Sequence, residues 1–469
     1  MKKNFRYAGL LACAALAVGL TGCSKEDNNP QGNNGSNVAG LPAKVELSIE
    51  MAQTRSGLLN GIAEENKIGE ISIWIYDAND PTGKKSTIVH SSTFDAQTKG
   101  VKKIDIETTS GPKNIYVGVN LPASMKSIIT SAGRDGVNNV IYQIPLNELS
   151  QVNIGGETYF AMFAQNVQTA TLEAQEKLSD PTPEANKIKL TVERLVSKIA
   201  VGKNSTVETM AVTSNGEMGG SFDTDNMEYS VKQINKSTFI TRQSIDPNYD
   251  GFAYGWDYTT SSGTGPDATA DYGLEAFSNE LGYQKMTVVA GLNDTEEFWN
   301  KDVNRFYTPE NLERVGRLGS NTYAVIKVKY TPDPANMKPG TAAKAGDFAT
   351  LKDQVNNKIE FYPSVADAET ARQAKTTPAD WVVSGLYEEG YNYYRVYLVK
   401  ETEYNVVRNT FYRVRVNSIN DLGSWRDNNP GPGGPEEPGK PIEEDNTKVD
   451  VTIEVLPWYM LDVVETELK

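Results

Sequence analysis

A strong strand stands alone near the far end of the chain and limits what the rest can be. Residues 448–456 alternate apolar and polar side chains at the two-residue period of a half-buried strand. The preceding residues, 424–446, contain Pro-Gly-Pro-Gly-Gly-Pro and then Glu-Glu-Pro-Gly-Lys-Pro. That composition makes an extended or flexible linker, not a folded element. One strand on a tether has no stability of its own. It needs a sheet to join, so some sheet must offer it a place.

The rest of the chain supplies sheets. Residues 43–51 alternate cleanly, with Val45, Leu47, Ile49 and Met51 on one face. Residues 68–76 and 114–121 are further β-branched and aromatic runs, and 187–201 form a long, mostly alternating one. Residues 323–330, 391–400 and 406–419 continue the pattern, while short helices are expected at 123–131, 295–303 and 365–374. Many strands with few long helices predict an all-β fold of sandwiches. At 469 residues the chain has room for two or three domains. We expect one domain over 43–201 and a second over 202–423, followed by the 424–446 linker and the terminal strand in 447–469.

The N-terminus reads as a lipoprotein signal peptide over residues 1–22. Lys2, Lys3 and Arg6 form a positive region, and residues 7–20 are an apolar run too short to span a bilayer comfortably. The run ends in Leu20-Thr21-Gly22-Cys23, the pattern of a bacterial lipobox. Cleavage before Cys23 would leave that residue to carry acyl chains, each buried CH₂ adding about 0.8 kcal/mol of membrane affinity. The acidic tract Ser24-Lys25-Glu26-Asp27 resembles the surface-export signal of Bacteroidota lipoproteins. Residues 23–42 read as a flexible tether, Asn/Gly-rich and uncharged from Asn28 to Gly40.

Composition excludes several functions. The formal net charge is −15, and loss of Lys2, Lys3 and Arg6 with the signal makes the mature chain three units more negative. Such a surface repels phosphate backbones, so no nucleic acid is expected as a partner. Of the two cysteines, Cys13 leaves with the signal and Cys23 is the lipid acceptor. No disulfide, thiol nucleophile or thiolate metal site then remains. The one histidine, His90, lies in Ile88-Val89-His90-Ser91-Ser92 without a nucleophile-elbow pattern and reads as a surface or strand residue. The chain has neither a P-loop nor a dinucleotide-binding glycine fingerprint. Paired carboxylates for glycosidase chemistry stay open among 61 acidic residues. Asp246, Asn248, Asp250 and Asp257, with Gly251, follow the spacing of a calcium loop. Asp stands where a bidentate Glu is usual and Pro247 intrudes, so an Asx-rich turn is the better reading and no metal or other cofactor is expected.

Two strands at opposite ends of the mature chain match each other. Lys44-Val45-Glu46-Leu47-Ser48-Ile49-Glu50-Met51 and Lys448-Val449-Asp450-Val451-Thr452-Ile453-Glu454-Val455 agree in chemical type at all eight positions. Both place four apolar side chains on one face and an acid–hydroxyl–acid series on the other, so both fit one groove in one register. Four such side chains contribute roughly 6–12 kcal/mol on burial, at about 1.5–3 each. That is comparable with a whole domain's net stability of about 5–15 kcal/mol. A domain deprived of its first strand therefore needs a replacement, and a neighbour's C-terminal copy supplies one. A head-to-tail contact that does not close builds a filament.

With the lipobox at Cys23, these features resemble the fimbrillin family of Bacteroidales type V pili, most closely its minor-fimbrium shaft subunits. The resemblance rests further on the segment from Val192-Glu193-Arg194 to Val201, residues 391–398, Arg408-Asn409-Thr410-Phe411-Tyr412 through Gly423, and Val455-Leu456-Pro457-Trp458. It implies two transthyretin-like β-sandwich domains with a C-terminal donor strand of Val449, Val451, Ile453 and Val455. It implies an outer-membrane lipoprotein precursor, cut after an arginine near the N-terminus and polymerised at the cell surface with anchor and tip subunits, in support of adhesion to an unidentified receptor. The matching arginine is Arg55, followed by Ser56, in a small polar segment suited to proteolysis. A tip or anchor subunit is an alternative, since anchors keep their first strand and lipid. A surface glycan-binding lipoprotein is another, with Tyr254, Trp256 and Tyr258 as candidate platforms that read better as packed aromatics. A hydrolase is the least favoured.

Overall fold

The structure is a computed structural model. It describes residues 39–51, 63–93, 95–96, 101–143, 148–209, 213–214, 217–242, 277–278, 281–289, 299, 303–311, 321–399, 404–427 and 448–458. It is all-β with short helices, as the alternation predicts. The described residues form one compact unit.

The first sheet is built from β1 (Pro42–Met51), β2 (Ile71–Asp77), β3 (Ser86–Ser91), β4 (Lys102–Thr109), β5 (Gly111–Val119), β6 (Met162–Ala164) and β7 (Lys187–Arg194). Its spatial order is β3-β2-β5-β6-β7-β1-β4, continued by Asp95–Ala96, with Gln168–Leu172 also paired to β5. Helix α1 (Ala123–Gly136) follows β5 and sends Met125 and Ile129 into the same core. β2 buries both faces over residues 71–76, whereas β1 sends alternate positions into the core. Val45, Leu47 and Ile49 of β1 lie in it with Ile71, Ile73 and Val117.

The second core lies between two further sheets. One contains β8 (Val196–Thr209), β10 (Arg305–Pro309), β14 (Thr410–Ile419) and β15 (Val449–Pro457), in the order Thr287–Val288, β8, β14, β15, with β10 on the other side of β8. The other centres on β11 (Tyr323–Pro332), flanked by β9 (Glu228–Lys232), β13 (Tyr391–Tyr397) and Gly220–Phe222. Ile199, Val201, Val414 and Val416 from the first of these meet Tyr229, Val231, Ile326, Val328 and Val396 from the second. Two sheets facing each other across an apolar layer make a β-sandwich. Between β11 and β13 the chain forms a small sheet around β12 (Ala349–Asp353), covered by helix α2 (Val365–Gln373), whose N-cap Ser364 accepts a hydrogen bond from the Asp367 amide.

Most sequence-predicted elements stand within a few residues of their expected places. The run 187–201 differs. It is two strands meeting at Leu195, a buried residue whose amide donates to the Ala161 carbonyl (3.0 Å). β7 closes the first sheet there and β8 opens the second, running on to Thr209. Residue 201, expected to end a domain, thus falls inside β8. The break escapes the hydropathy pattern because both strands alternate and the turn residue is itself apolar. The helix expected at 295–303 lies largely outside the described residues. No helix among the described residues is long and apolar enough to cross a membrane.

Candidate functional site

β1 lies inside its sheet with a partner on each side. It pairs in parallel with β7, setting Leu47 beside Ile188, Ile49 beside Leu190 and Met51 beside Val192. On its other side it pairs antiparallel with β4, setting Val45 beside Ile106 and Leu47 beside Ile104. Val45, Leu47 and Ile49 are each 0 % exposed. On the polar face Lys103 donates to Glu46 (3.1 Å), and the Lys44 ammonium donates to the Asp180 carbonyl (3.2 Å) and lies 3.9 Å from Asp105. The strand's start is fixed by the Lys44 amide donating to Gln175 Oε1 (2.7 Å) and by Asn186 Nδ2 donating to the Lys44 carbonyl (2.9 Å). Taking β1 away would leave a slot walled by β4 and β7.

β15 is seated differently. It pairs antiparallel with β14, from Ile419 beside Val449 to Thr410 beside Pro457, at the edge of its sheet. Among the described residues no strand pairs with its other side. Val449 is buried, but Val451, Ile453 and Val455 are only half-buried against the second core. Its polar face is tied by Asn417 Nδ2 donating to Asp450 (3.2 Å) and Thr452 (2.9 Å), and by Arg413 lying 3.4 Å from Glu454. Of these groups Arg413 is buried, while Asn417, Thr452 and Glu454 are partly exposed.

The end of β15 runs into a buried polar cluster. Trp458 is 0 % exposed. Its indole N–H donates to Glu65 Oε2 (2.9 Å), and its ring stacks on Tyr307 and lies 4.3 Å from the Arg194 guanidinium. Its amide donates to the Asn409 carbonyl (2.9 Å), and its own carbonyl accepts from Arg194 (2.9 Å). Asn409 holds a left-handed φ of 54°, which asparagine tolerates better than most residues, and its side-chain carbonyl also accepts from Arg194 (3.0 Å). Lys198 lies 2.9 Å from Glu65, and Tyr307 donates to the same carboxylate (2.6 Å). Burial alone would raise the Glu65 carboxyl, but the Lys198 and Arg194 charges outweigh it and hold the group below its ordinary value. Burial likewise pushes the Lys198 ammonium down to about 7, against the pull of Glu65. The sequence reading missed this cluster. Its signal was two cations, Arg194 and Lys198, inside runs otherwise suited to burial.

Several sequence-predicted residues lie outside the described residues: Cys23, Arg55, Ser56, the calcium-loop candidates Asp246, Asn248, Asp250 and Asp257, and the aromatics Tyr254, Trp256 and Tyr258. His90 lies on β3, exposed, with its ring edge-on to Trp74 at 5.6 Å. Burial and then Lys126 push its pKa below the ordinary value. His90→Ala should therefore leave the melting temperature within a few degrees of the wild type, as surface changes usually cost under about 0.5 kcal/mol. A calorimetric scan showing a large drop would place His90 in the core instead.

The C-terminal part of this architecture has a known counterpart. Residues 385–462, which contain β13, β14 and β15, match the family model for the C-terminal part of the major fimbrial subunit protein type IV, fimbrillin. Over this region the chain is similar to fimbrillin. Among solved structures, the chain is similar to a fimbrilin from Porphyromonas gingivalis at 14 % identity, with 91 % of this chain and 99 % of that one covered and a TM-score of 0.45. It is similar to the tip fimbrial protein Mfa3 of P. gingivalis at 12 % identity, with 88 % and 100 % covered and a TM-score of 0.38. A cell-adhesion candidate from Parabacteroides distasonis stands at 14 % identity, with 90 % and 100 % covered and a TM-score of 0.45. At TM-scores under 0.5 these likenesses add nothing to the fold, which rests on the strand pairing. A comparison with curated proteins finds no match.

Proposed function

We propose that this chain is the shaft subunit of a cell-surface fimbrium, a structural protein without catalytic function that polymerises by exchange of strands. The precursor reaches the outer membrane on lipids at Cys23. Proteolysis between Arg55 and Ser56 separates β1 and its lipid from the body. A neighbour's β15 then enters the slot between β4 and β7, and repetition builds a head-to-tail polymer, with anchor and tip subunits at its ends and adhesion as its use.

The observation that carries this reading is the contrast between two strands of one pattern. β1 lies between two neighbours with Val45, Leu47 and Ile49 fully buried, whereas β15 is an edge strand half-buried in its own chain. In the register of the eight-position match, Val449 would stand beside Ile106, Val451 beside Ile104 and Ile188, Ile453 beside Leu190, and Val455 beside Val192. The polar face agrees as well. Lys448 would take the place of Lys44 near Asp105, and Asp450 that of Glu46 near Lys103.

Electron microscopy of cells making either the full chain or one lacking residues 447–469 tests the proposal. Filaments are expected from the first only, and native-length filaments from the second would exclude β15 as donor. The lipid step is tested separately. Cys23→Ala should abolish labelling by a clickable palmitate analogue and leave uncleaved precursor in the inner membrane. Undiminished label would show that another residue is acylated.

A further inference from the structure

The strand read above as the donor is held unevenly along its length. Along Val451, Ile453 and Val455 it is half-buried, with polar ties that are partly exposed except at the buried Arg413. At Trp458 it is fully enclosed, with three hydrogen bonds, an aromatic stack and a cation beneath the ring. Besides its ladder with β14 and the buried Val449, the strand is therefore held by an enclosed polar anchor at its last described residue.

The partner of the indole N–H is equally specific. Glu65 belongs to the short turn Ala63–Asn66, and its side chain is 1 % exposed. The turn is held by Arg194, which donates to the Glu65 carbonyl (3.1 Å) and to Asn66 Oδ1, and by Lys198 and Tyr307 on the carboxylate. Arg305 lies 3.7 Å from the same carboxylate. Three cations thus crowd one buried carboxylate, and the Trp458 ring and carbonyl face Arg194 with further negative charge density. The tryptophan and the carboxylate support each other, since withdrawing either leaves buried charge less well satisfied. In sequence, Ala63 stands eight positions after Arg55. A cut there converts the Glu65 turn from the middle of a chain into a segment near a free end, where ordering is weakest.

We propose that Trp458 and Glu65 form a latch that keeps β15 in its own chain, and that cutting at Arg55 loosens it. The site that receives a strand and the strand to be given are then coupled through one hydrogen bond. A precursor withholds its donor strand as well as filling its own slot. This regulation rests on the reading of β15 as donor strand, but it is testable on monomers alone.

Amide hydrogen exchange on the purified full chain, followed by mass spectrometry, reads the latch directly. Trp458→Phe keeps an aromatic ring and removes the indole donor, and Glu65→Gln keeps the shape and removes the charge. Both variants should exchange about tenfold faster over residues 449–457, a size expected for a lost bond to a charged group, with β11 unchanged. Wild-type chain cut at Arg55 should show the same local acceleration relative to uncut chain. Unaltered protection of 449–457 in both variants would overturn the latch. So would a rise shared equally by β11, which would make the cluster a general structural support. Equal protection in cut and uncut chain would overturn the coupling. Filaments from subunits lacking 447–469 would instead remove the donor reading, a result this exchange measurement neither requires nor predicts.

Discussion

Subunits carrying Arg55→Ala should fold, acquire lipid and fail to form filaments, while the wild type polymerises. β1 contributes three fully buried side chains, worth roughly 5–9 kcal/mol at about 1.5–3 each, and hydrogen-bonds along both edges. A neighbour's β15 offers almost the same chemistry, so affinity alone does not choose between them. The tether chooses. A strand joined to its own slot acts at an effective concentration of order millimolar, while neighbouring subunits at about micromolar compete at a thousandfold disadvantage. Cutting after Arg55 leaves every contact of β1 in place but removes that advantage, so a departing strand is diluted away. Filament yield by electron microscopy, compared at equal amounts of surface-exposed subunit, should fall below one part in a hundred in the variant. Wild-type yield from uncut Arg55→Ala subunits would mean that β1 never has to leave.

The elements around this slot were largely legible from the sequence. Period-two alternation in residues 43–51 and 448–456 marks strands wherever one face is buried, and both stand as strands, with Val45, Leu47 and Ile49 in one core and Val449 in the other. What alternation cannot convey is which strands neighbour each other. β1 pairs with β4 and with β7, the latter more than a hundred residues further on, because the sheet is ordered by packing and not by chain sequence. The Leu195 break hid for a related reason. Val192 and Val196 are apolar and in phase on either side of it, although the chain changes sheets between them. The Glu65–Arg194–Lys198–Trp458 cluster was the least legible part. Charged residues are read as solvent-facing, and only tertiary contacts between positions hundreds of residues apart show these to be enclosed. Trp458 stands in a terminal sequence motif, but its environment belongs to the assembled fold.

Ile453→Asp separates the two environments in which β15 is proposed to act. In its own chain Ile453 is half-buried on an edge strand beside Val414, so a carboxylate there keeps access to water and the monomer should fold. In the slot the same residue would take the position of Ile49, which is 0 % exposed and stands beside Leu190. A carboxylate enclosed there without a partner costs several kcal/mol. Since each 1.4 kcal/mol is tenfold in affinity, donation should weaken by at least about a hundredfold. Asp450→Asn is the matched control on the opposite face. It removes a charge that would meet Lys103 at a partly exposed position, where such pairs are worth about 0–1 kcal/mol. Cut subunits of the control should therefore polymerise nearly as the wild type does, while Ile453→Asp subunits stay monomeric in size-exclusion chromatography with an unchanged circular dichroism spectrum. Mixing folded Ile453→Asp subunits with wild type sharpens the test. A subunit that cannot donate still has an open slot, so it should cap growing ends and shorten filaments in proportion to its fraction. Equal impairment by both substitutions would show that β15 binds through its polar face, and full-length filaments from Ile453→Asp subunits would show that its apolar face enters no closed groove.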